Sequence, residues 1–262
     1  MRVLGIETST MMVGVAIVDE KGLVAEYRFE ATRSRSERLM PMIDRVLKDS
    51  QTMPKNLTGI AISIGPGSFT GLRIGVSTAK GLAFSLGLPV VGVSTLEAMA
   101  TPLASEPLAW PGRAQGVGAL EDTSSCVAAR APTDKWAGRC VYPICPMLDA
   151  KRQEVYAALF SVDSEGGLKK IMEDEAISPV RLSDQLAERR EPILFLGAGA
   201  LLYEDEIKKR LGDFAIFVSR LDPYPSPLMV AALGMKRLLS GRGDDLLTLV
   251  PLYLSRLPAK MS

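Results

Sequence analysis

The chain has 262 residues, enough for one large domain or two smaller ones, and 47% hydrophobic with 23% charged residues is an ordinary globular composition. A formal net charge of +1 argues against a protein that binds nucleic acid mainly by itself, because neutralising phosphates requires an excess of Lys and Arg. The chain contains no histidine, which excludes Ser-His-Asp and Cys-His catalysis and every histidine-containing metal site.

The cysteines and the lengths of the apolar runs favour a cytoplasmic location. Cys126, Cys140 and Cys145 are odd in number and lack Cys-x-x-Cys spacing, so we expect neither a disulfide framework nor a zinc site. Glu7 interrupts the first apolar run too early for a signal peptide. No apolar run approaches the roughly 20 residues that a membrane-spanning helix needs. We therefore expect a cytoplasmic protein with no membrane contact.

The first hundred residues predict the order strand, strand, strand, helix, strand, helix, strand, helix. Short apolar runs predict the strands, with a hairpin turn at 19–22 between the second and the third. Apolar residues at helical spacing predict helices from Ser36 and over 70–86. By analogy, this order is the first half of a ribonuclease-H-like sheet, the unit duplicated in the actin, Hsp70 and sugar-kinase superfamily. We therefore expect an α/β fold of two lobes, with mixed sheets flanked by helices.

Proline and glycine residues divide the chain into three parts. Residues 101–141 show no sustained periodicity and are predicted to be an irregular insertion between an N-terminal lobe, 1–100, and a C-terminal lobe, 142–262. The C-terminal lobe is predicted to have strands at 144–148, 154–162, 168–177, 193–196 and 215–218, and helices at 179–189, 199–211 and 227–239. Ser94 and Ser178 have the positions and neighbours of helix N-caps.

A glycine-rich turn, 65–71, joins a predicted strand to a predicted helix. In this context, backbone amides at the helix N-terminus can hold a phosphate. Leu72-Arg73 stands where a P-loop needs Lys followed by Ser or Thr, and the glycine spacing does not fit a dinucleotide fingerprint. Two interpretations stay open, a structural turn or a ligand contact. For the second, the candidate nucleotide-loop residues are Glu7, Thr8, Ser9, Gly65, Gly67 and Asp149, with the two carboxylates as magnesium ligands.

The helix after this turn is apolar nearly all round. Gly71, Gly75, Thr78, Ala79 and Leu82 form one small or apolar stripe, and Leu72, Val76 and Ala83 form another beside it. Glycine inside a helix costs about 1 kcal/mol relative to alanine, so close packing has to offset it. One neighbour of this helix is the protein's own sheet. The other is a second helix, either of this fold or of a partner chain.

Six sequence blocks together resemble one known family. They are residues 6–9, 36–43, 65–75, 80–83, 89–97 and 148–156. Through these blocks the chain resembles the TsaB family, also called YeaZ, densely over 1–100 and well over 144–160. The block 65–97 is far more specific than a single glycine motif. The segment 101–141 and its cysteines gain no interpretation from the resemblance.

The resemblance implies a two-lobed actin-like fold that has lost catalysis. TsaB-like proteins pair with the catalytic paralogue TsaD, and TsaE, a P-loop ATPase, joins the pair. TsaD transfers threonylcarbamoyl to the adenosine beside the anticodon of ANN-decoding tRNAs, so tRNA is reached indirectly, through the complex. The resemblance thus implies no catalytic residue, no metal and no cofactor in this chain. ATP or ADP would bind only at a site formed in the complex.

In the family, two helices of the N-terminal lobe form the heterodimer interface, and self-dimers use the same region. Carried over, these helices are residues 36–49 and 70–86. The candidate partner-interface residues are Ser36, Leu39, Met40, Ile43, Leu47, Gly71, Leu72, Gly75, Val76, Ala79 and Leu82. We expect a bulky charged residue at Gly75 or Ala79 to abolish partner binding and to leave the fold largely intact.

Three alternative functions follow from the same resemblance or fold. TsaD itself is rejected, because TsaD-like enzymes hold a metal with a His-x-x-x-His helix and this chain has no histidine. A weak nucleotide-binding protein or ATPase of the actin-like superfamily is the first remaining alternative. The second is a glycoprotease-like hydrolase, an older label for this family, although no metal site or nucleophile dyad is evident in the sequence.

Overall fold

The computed structural model describes residues 1–31, 35–104, 142–164, 166–219 and 221–254, and these residues form two compact units. The elements of the first part of the chain are β1 (Arg2–Glu7), β2 (Met12–Asp19), β3 (Gly22–Glu30), α1 (Arg35–Asp49), β4 (Gly59–Gly65), α2 (Phe69–Leu86), β5 (Val90–Ser94) and α3 (Thr95–Ala104). Those of the second part are β6 (Ile144–Lys151), β7 (Glu154–Val162), β8 (Leu168–Ile177), α4 (Pro179–Ala187), β9 (Ile193–Leu196), α5 (Ala198–Leu202), α6 (Glu204–Leu211), β10 (Ala215–Phe217) and α7 (Pro227–Leu239).

The first sheet has the strand order β3-β2-β1-β4-β5. β1 pairs antiparallel with β2 and parallel with β4, and β4 pairs parallel with β5. Because side chains alternate along a strand, β1 divides its apolar residues between the two faces. Leu4 and Ile6 join the core under α1 and α2, whereas Val3 joins a second core under α7. The central strands are thus buried on both faces, which explains their continuous apolar sequences.

The second sheet repeats this arrangement, with the order β10-β9-β6-β7-β8. β6 pairs antiparallel with β7 and parallel with β9, and β9 pairs parallel with β10. Three antiparallel strands followed by two parallel ones therefore occur twice in the chain. The predicted duplicated α/β architecture, with mixed sheets flanked by helices, is confirmed.

The boundary of the second lobe differs from the prediction. Residues 224–253 belong to the first compact unit, not to a C-terminal lobe that extends to 262. α7 packs directly on the first sheet, where a Cβ added to Gly5 would lie 2.6 Å from the Cβ of Ala231. Its core partners include Val230 and Met235. The local sequence predicts an apolar helix here but does not specify which of two similar sheets it covers.

Other differences concern helix ends. The helix predicted at 199–211 is interrupted at Tyr203, which gives the short α5 and the separate α6. α3 continues to Ala104, so the irregular segment does not begin at residue 101. Residues 105–141, with Cys126 and Cys140, lie outside the described ranges. Cys145 is a free, buried thiol of β6, and burial raises its pKa.

The predicted caps are present. The hydroxyl of Ser178 accepts a hydrogen bond from the backbone N–H of Arg181 at 3.3 Å, at the start of α4. The hydroxyl of Ser94 accepts one from the backbone N–H of Glu97 at 3.4 Å, at the start of α3. Within the described ranges, no helix combines the length and the apolar character that crossing a membrane requires.

Candidate functional site: the glycine-rich turn and the outward face of α2

The glycine-rich turn between β4 and α2 is pressed against neighbouring backbone. Gly65 has φ of +118°, and a Cβ there would lie 2.7 Å from the carbonyl oxygen of Leu252. A Cβ on Gly67 would come closer than 3.0 Å to the carbonyl oxygen of Ser9, in the turn between β1 and β2. Both glycines are therefore required by close contacts within the protein, as the structural interpretation of the turn predicts.

Two backbone amides of this turn are bonded to the protein itself. The Ser68 N–H donates to the carbonyl of Ser9 at 2.6 Å. The Gly71 N–H donates to the hydroxyl of Ser68 at 3.3 Å, which caps α2. One turn further along α2, Gly75 leaves no space for a Cβ beside the hydroxyl of Thr8. These contacts support the structural interpretation of the turn.

Glu7 ends β1 as a fully buried carboxyl group. One of its oxygens accepts hydrogen bonds from the backbone N–H and the hydroxyl of Ser9, each at 2.5 Å. Burial raises the pKa of Glu7 to about 7, against the opposing effects of hydrogen bonds from Ser9 and Ser63 and of the charge of Arg28. The strand register places Glu7 beside Gly14, and Gly14 beside Arg28.

A carboxyl group in this state is a poor ligand for magnesium, which prefers charged oxygens with room for water around them. The second carboxylate of the candidate loop set, Asp149, belongs to the other compact unit. It accepts hydrogen bonds from the backbone N–H and the ammonium of Lys151, at 2.8 and 2.5 Å. Burial acts to raise the pKa of Asp149, but the bonds to Lys151 outweigh it and lower the pKa. In the described part of the chain, His, Cys, Asp and Glu form no group of three or more that could hold a metal ion.

Most of the predicted partner-interface residues face the protein's own core. Buried side chains or glycines of this set are Leu39, Ile43, Gly71, Leu72, Gly75, Val76 and Ala79. Leu47 and Leu82 are half-buried, Met40 is exposed, and the side chain of Ser36 lies outside the described residues. In the chain by itself, these buried members do not form an exposed surface, because the stripe of small residues on α2 packs on the sheet beneath. A bulky charged residue at Gly75 or Ala79 would disrupt the fold itself.

The outward face of α2 is a different set of residues, spaced three or four apart. Phe69, Arg73, Ser77, Gly81 and Phe84 are exposed along it. Phe84 exposes 79% of its surface and Phe69 exposes 52%. Gly81 has no atom within 4 Å of the place where a Cβ would be, so another backbone can approach it closely. Large exposed apolar side chains on one helix face are typical of a protein-binding surface.

The sequence reasoning missed the two phenylalanines of this face. Their signal was available, because Phe84 lies off the stripe formed by Gly75 and Ala79 when residues are placed at 100° intervals. At the N-terminal end of α2, the guanidinium of Arg73 lies 3.8 Å from the ring centre of Phe69. This stacking holds a positive charge against the exposed aromatic ring.

A shallow groove of about 300 Å³ lies between β3 and α1. Its lining residues are Tyr27, Arg28, Phe29, Arg38, Pro41, Met42 and Arg45. Arg45 pairs with Asp49 at 2.6 Å, and the hydrogen bond from Tyr27 lowers the pKa of Asp49. The groove therefore gives the exposed side of α1 a mixed aromatic and basic character.

Comparison with known proteins decides the family. A family model described as "TsaD: tRNA N6-adenosine threonylcarbamoyltransferase" matches residues 25–114. The "tRNA threonylcarbamoyladenosine biosynthesis protein TsaB" of Bacillus subtilis is 31% identical over 254 residues, which cover 97% of this chain and 94% of that relative. This chain belongs to the TsaB family. The family predicted from the six sequence blocks is confirmed.

Comparison with solved structures shows the fold. YeaZ from Pseudomonas aeruginosa has a TM-score of 0.70 and 23% identity, over 97% of this chain and 99% of that one. A ROK hexokinase from Thermus thermophilus has a TM-score of 0.52 and 11% identity, over 91% of this chain and 100% of that one. These two likenesses show that this chain has the actin-like fold class that the sequence predicts.

Proposed function

We propose that this protein is a non-catalytic, cytoplasmic subunit of the complex that makes threonylcarbamoyladenosine in tRNA. It binds and supports a TsaD-type transferase, TsaE joins the pair, and tRNA is contacted through the complex. Membership of the TsaB family supports a role in making threonylcarbamoyladenosine, because the relatives are named as tRNA threonylcarbamoyladenosine biosynthesis proteins. The neutral charge balance supports an indirect role at tRNA, since direct binding to phosphates favours a basic surface.

The outward face of α2 is the observation that carries this proposal. Its exposed phenylalanines and its open position at Gly81 suit a closely packed helix of another protein. The same face would support self-association when the partner is absent. The closed turns around Ser9 and Ser68 support a non-catalytic role, because their amides and hydroxyls already bond to one another or to the protein.

The test is reconstitution with the cognate TsaD. The two chains are co-expressed and purified through a tag on one of them, and threonylcarbamoyladenosine formed in a substrate tRNA is measured with and without this chain, with TsaE present in both assays. We expect a stable complex and modification that depends on this chain. Equal modification without it, together with no co-purification, would show that the proposal is wrong.

A separate assay addresses nucleotide binding by the isolated chain. Titration with ATP and magnesium in a calorimeter is expected to give no heat of binding. The reason is that the N–H groups of Ser68 and Gly71, in the β4–α2 turn, already donate to acceptors within the protein. Tight binding with turnover by the purified chain would favour the ATPase alternative. Binding that appears only after TsaD is added would place the nucleotide site in the complex.

A further inference from the structure

Residues 246–253, which we call the C-terminal strap, run beside α2 on the first unit. The ammonium of Lys80 donates a hydrogen bond to the carbonyl of Leu249 at 3.1 Å. The guanidinium of Arg73 donates one to the hydroxyl of Tyr253 at 3.1 Å. Lys80 and Arg73 are two helical turns apart, roughly 10 Å along α2, and their partners follow in reverse order along the chain. The strap therefore runs antiparallel to α2.

Every third residue of the strap faces the protein, and the residue after it faces outward. Its inward residues, Leu246, Leu249 and Leu252, are buried or half-buried. Its outward residues expose 85% of Leu247, 62% of Val250 and 43% of Tyr253. The inward Leu249 packs in the core under α1 and α2, and the Leu252 N–H donates to the carbonyl of Ile64 at 2.7 Å. Inward contacts and backbone bonds thus hold the strap in place.

The outward residues of the strap are apolar although the fold gives them little to contact. A peptide that only had to be anchored could carry polar side chains at these positions without loss of stability. The ring centres of Tyr253 and Phe69 lie 4.9 Å apart, so the strap and the outward face of α2 meet at this end. Together they present Leu247, Val250, Tyr253, Phe69 and Phe84 on one side of the first unit.

The charged side chains of this combined surface, Arg73 and Lys80, are both basic. Neither α2 nor the strap contains an aspartate or a glutamate. The exposed guanidinium of Arg73 lies 3.8 Å from the ring centre of Phe69 and 6.0 Å from that of Tyr253. In a second copy of this chain, neither α2 nor the strap would offer a carboxylate to Arg73, and the exposed Asp244 and Asp245 precede the strap at the end away from Tyr253. A different protein with an apolar helix face and a carboxylate near one end would be complementary.

We propose that the C-terminal strap and the outward face of α2 form one docking surface, and that its occupant is an apolar helix of a protein partner with a carboxylate that meets Arg73. This inference rests on the proposed function, since the TsaD-type partner is the protein expected there. It adds residues that no helix–helix contact alone would involve, and it assigns the strap a role beyond closing the fold.

The test measures how tightly variants of the full chain bind the purified cognate TsaD. Leu247→Asp and Val250→Asp are each expected to weaken binding by about tenfold or more, with an unchanged unfolding temperature because both side chains are exposed. Arg73→Glu is expected to weaken binding as well, and Arg73→Lys to retain most of it. Leu202→Asp, at an exposed leucine of the second unit, is the matched control and should bind as the unaltered chain does.

The outcomes separate this inference from the proposed function. If the strap variants bind like the unaltered chain while Phe84→Asp loses binding, the strap is not part of the surface and the proposed function stands. If the unaltered chain does not bind TsaD at all, both are overturned. Loss of self-association with intact TsaD binding would identify a second copy as the occupant and overturn the assignment. Leu247→Ser, which removes apolar surface without adding charge, replaces Leu247→Asp if the latter lowers the unfolding temperature.

Discussion

Single glycines of α2 have opposite surroundings, although the sequence presents them as one series. Gly75 lies against Thr8 and Ile62 of the protein's own sheet, where an added Cβ has no space. Gly81 faces open surroundings on the other side of the same helix. The residue type is identical, so only the environment determines which position tolerates a side chain.

A pair of substitutions tests this difference. Gly75→Val is expected to destabilise the protein by about 1–3 kcal/mol or more, because the new side chain overlaps buried atoms. Gly81→Ala is expected to leave stability unchanged or raise it by about 0.5–1 kcal/mol, because alanine favours the helix and meets no neighbour. Urea unfolding of both variants measures the free energies. Equal losses of stability would contradict the described packing.

Glu7 gives the protein a pH dependence of definite sign. Its pKa is about 7 in the folded state and 4.5 when unperturbed, so the folded state binds the proton more tightly. The resulting stabilisation is complete below pH 4.5 and is lost as the pH rises through 7, by at most roughly 3 kcal/mol. Glu7→Gln keeps a neutral group of similar shape and should remove this dependence. The measurement is the free energy of unfolding of both proteins at pH 5 and pH 8. If the variant shows the same difference in unfolding free energy between the two pH values as the unaltered protein, Glu7 is not the source of the pH dependence.

The helix α2 has an inward face that builds the core and an outward face with exposed aromatic side chains. Leu72, Val76, Ala79 and Ala83 are buried, whereas Phe84 is largely exposed. Composition shows that the helix is apolar on several sides, but it does not distinguish the side that meets the sheet from the side that remains free. At 100° per residue, the exposed residues lie on nearly the opposite side of the helix from the stripe that was predicted to face a partner.

Phe84→Asp examines the outward face alone. Because Phe84 makes few contacts within the fold, the unfolding temperature should stay within about 2 °C of the original, whereas affinity for TsaD should fall by about tenfold or more. Calorimetric titration of TsaD with the variant measures the affinity, and thermal unfolding measures the stability. Unchanged affinity would remove the outward face of α2 from the proposed interface.

The first unit is completed by residues from a distant part of the sequence. α7 covers one face of the first sheet, and the guanidinium of Arg237 donates to the carbonyl of Gly92 at 2.5 Å and pairs with Glu97. The lobe that the sequence places in residues 1–100 is therefore incomplete without residues 224–253.

Truncation tests this dependence. A chain that ends at residue 223 is expected to be insoluble or unfolded, because Val3, Ala61 and Val93 would lose the apolar helix that covers them. Adding residues 224–254 back as a separate peptide should restore some soluble protein if the missing helix is the cause. Circular dichroism and the soluble yield are the measurements. A stable, cooperatively folding 1–223 chain would contradict the assigned unit.

The sequence by itself determined the family, the order of strands and helices and most of their ends, as at β7, β8, β9 and α7. These features depend on local periodicity, on turn and cap residues, and on blocks such as 65–97, all of which are written along the chain. The tertiary structure decided which sheet α7 covers, that the Gly67 turn is closed against Ser9, and which face of α2 remains exposed. Each of these depends on contacts between residues far apart in sequence, and an apolar stripe does not specify the neighbour against which it is buried.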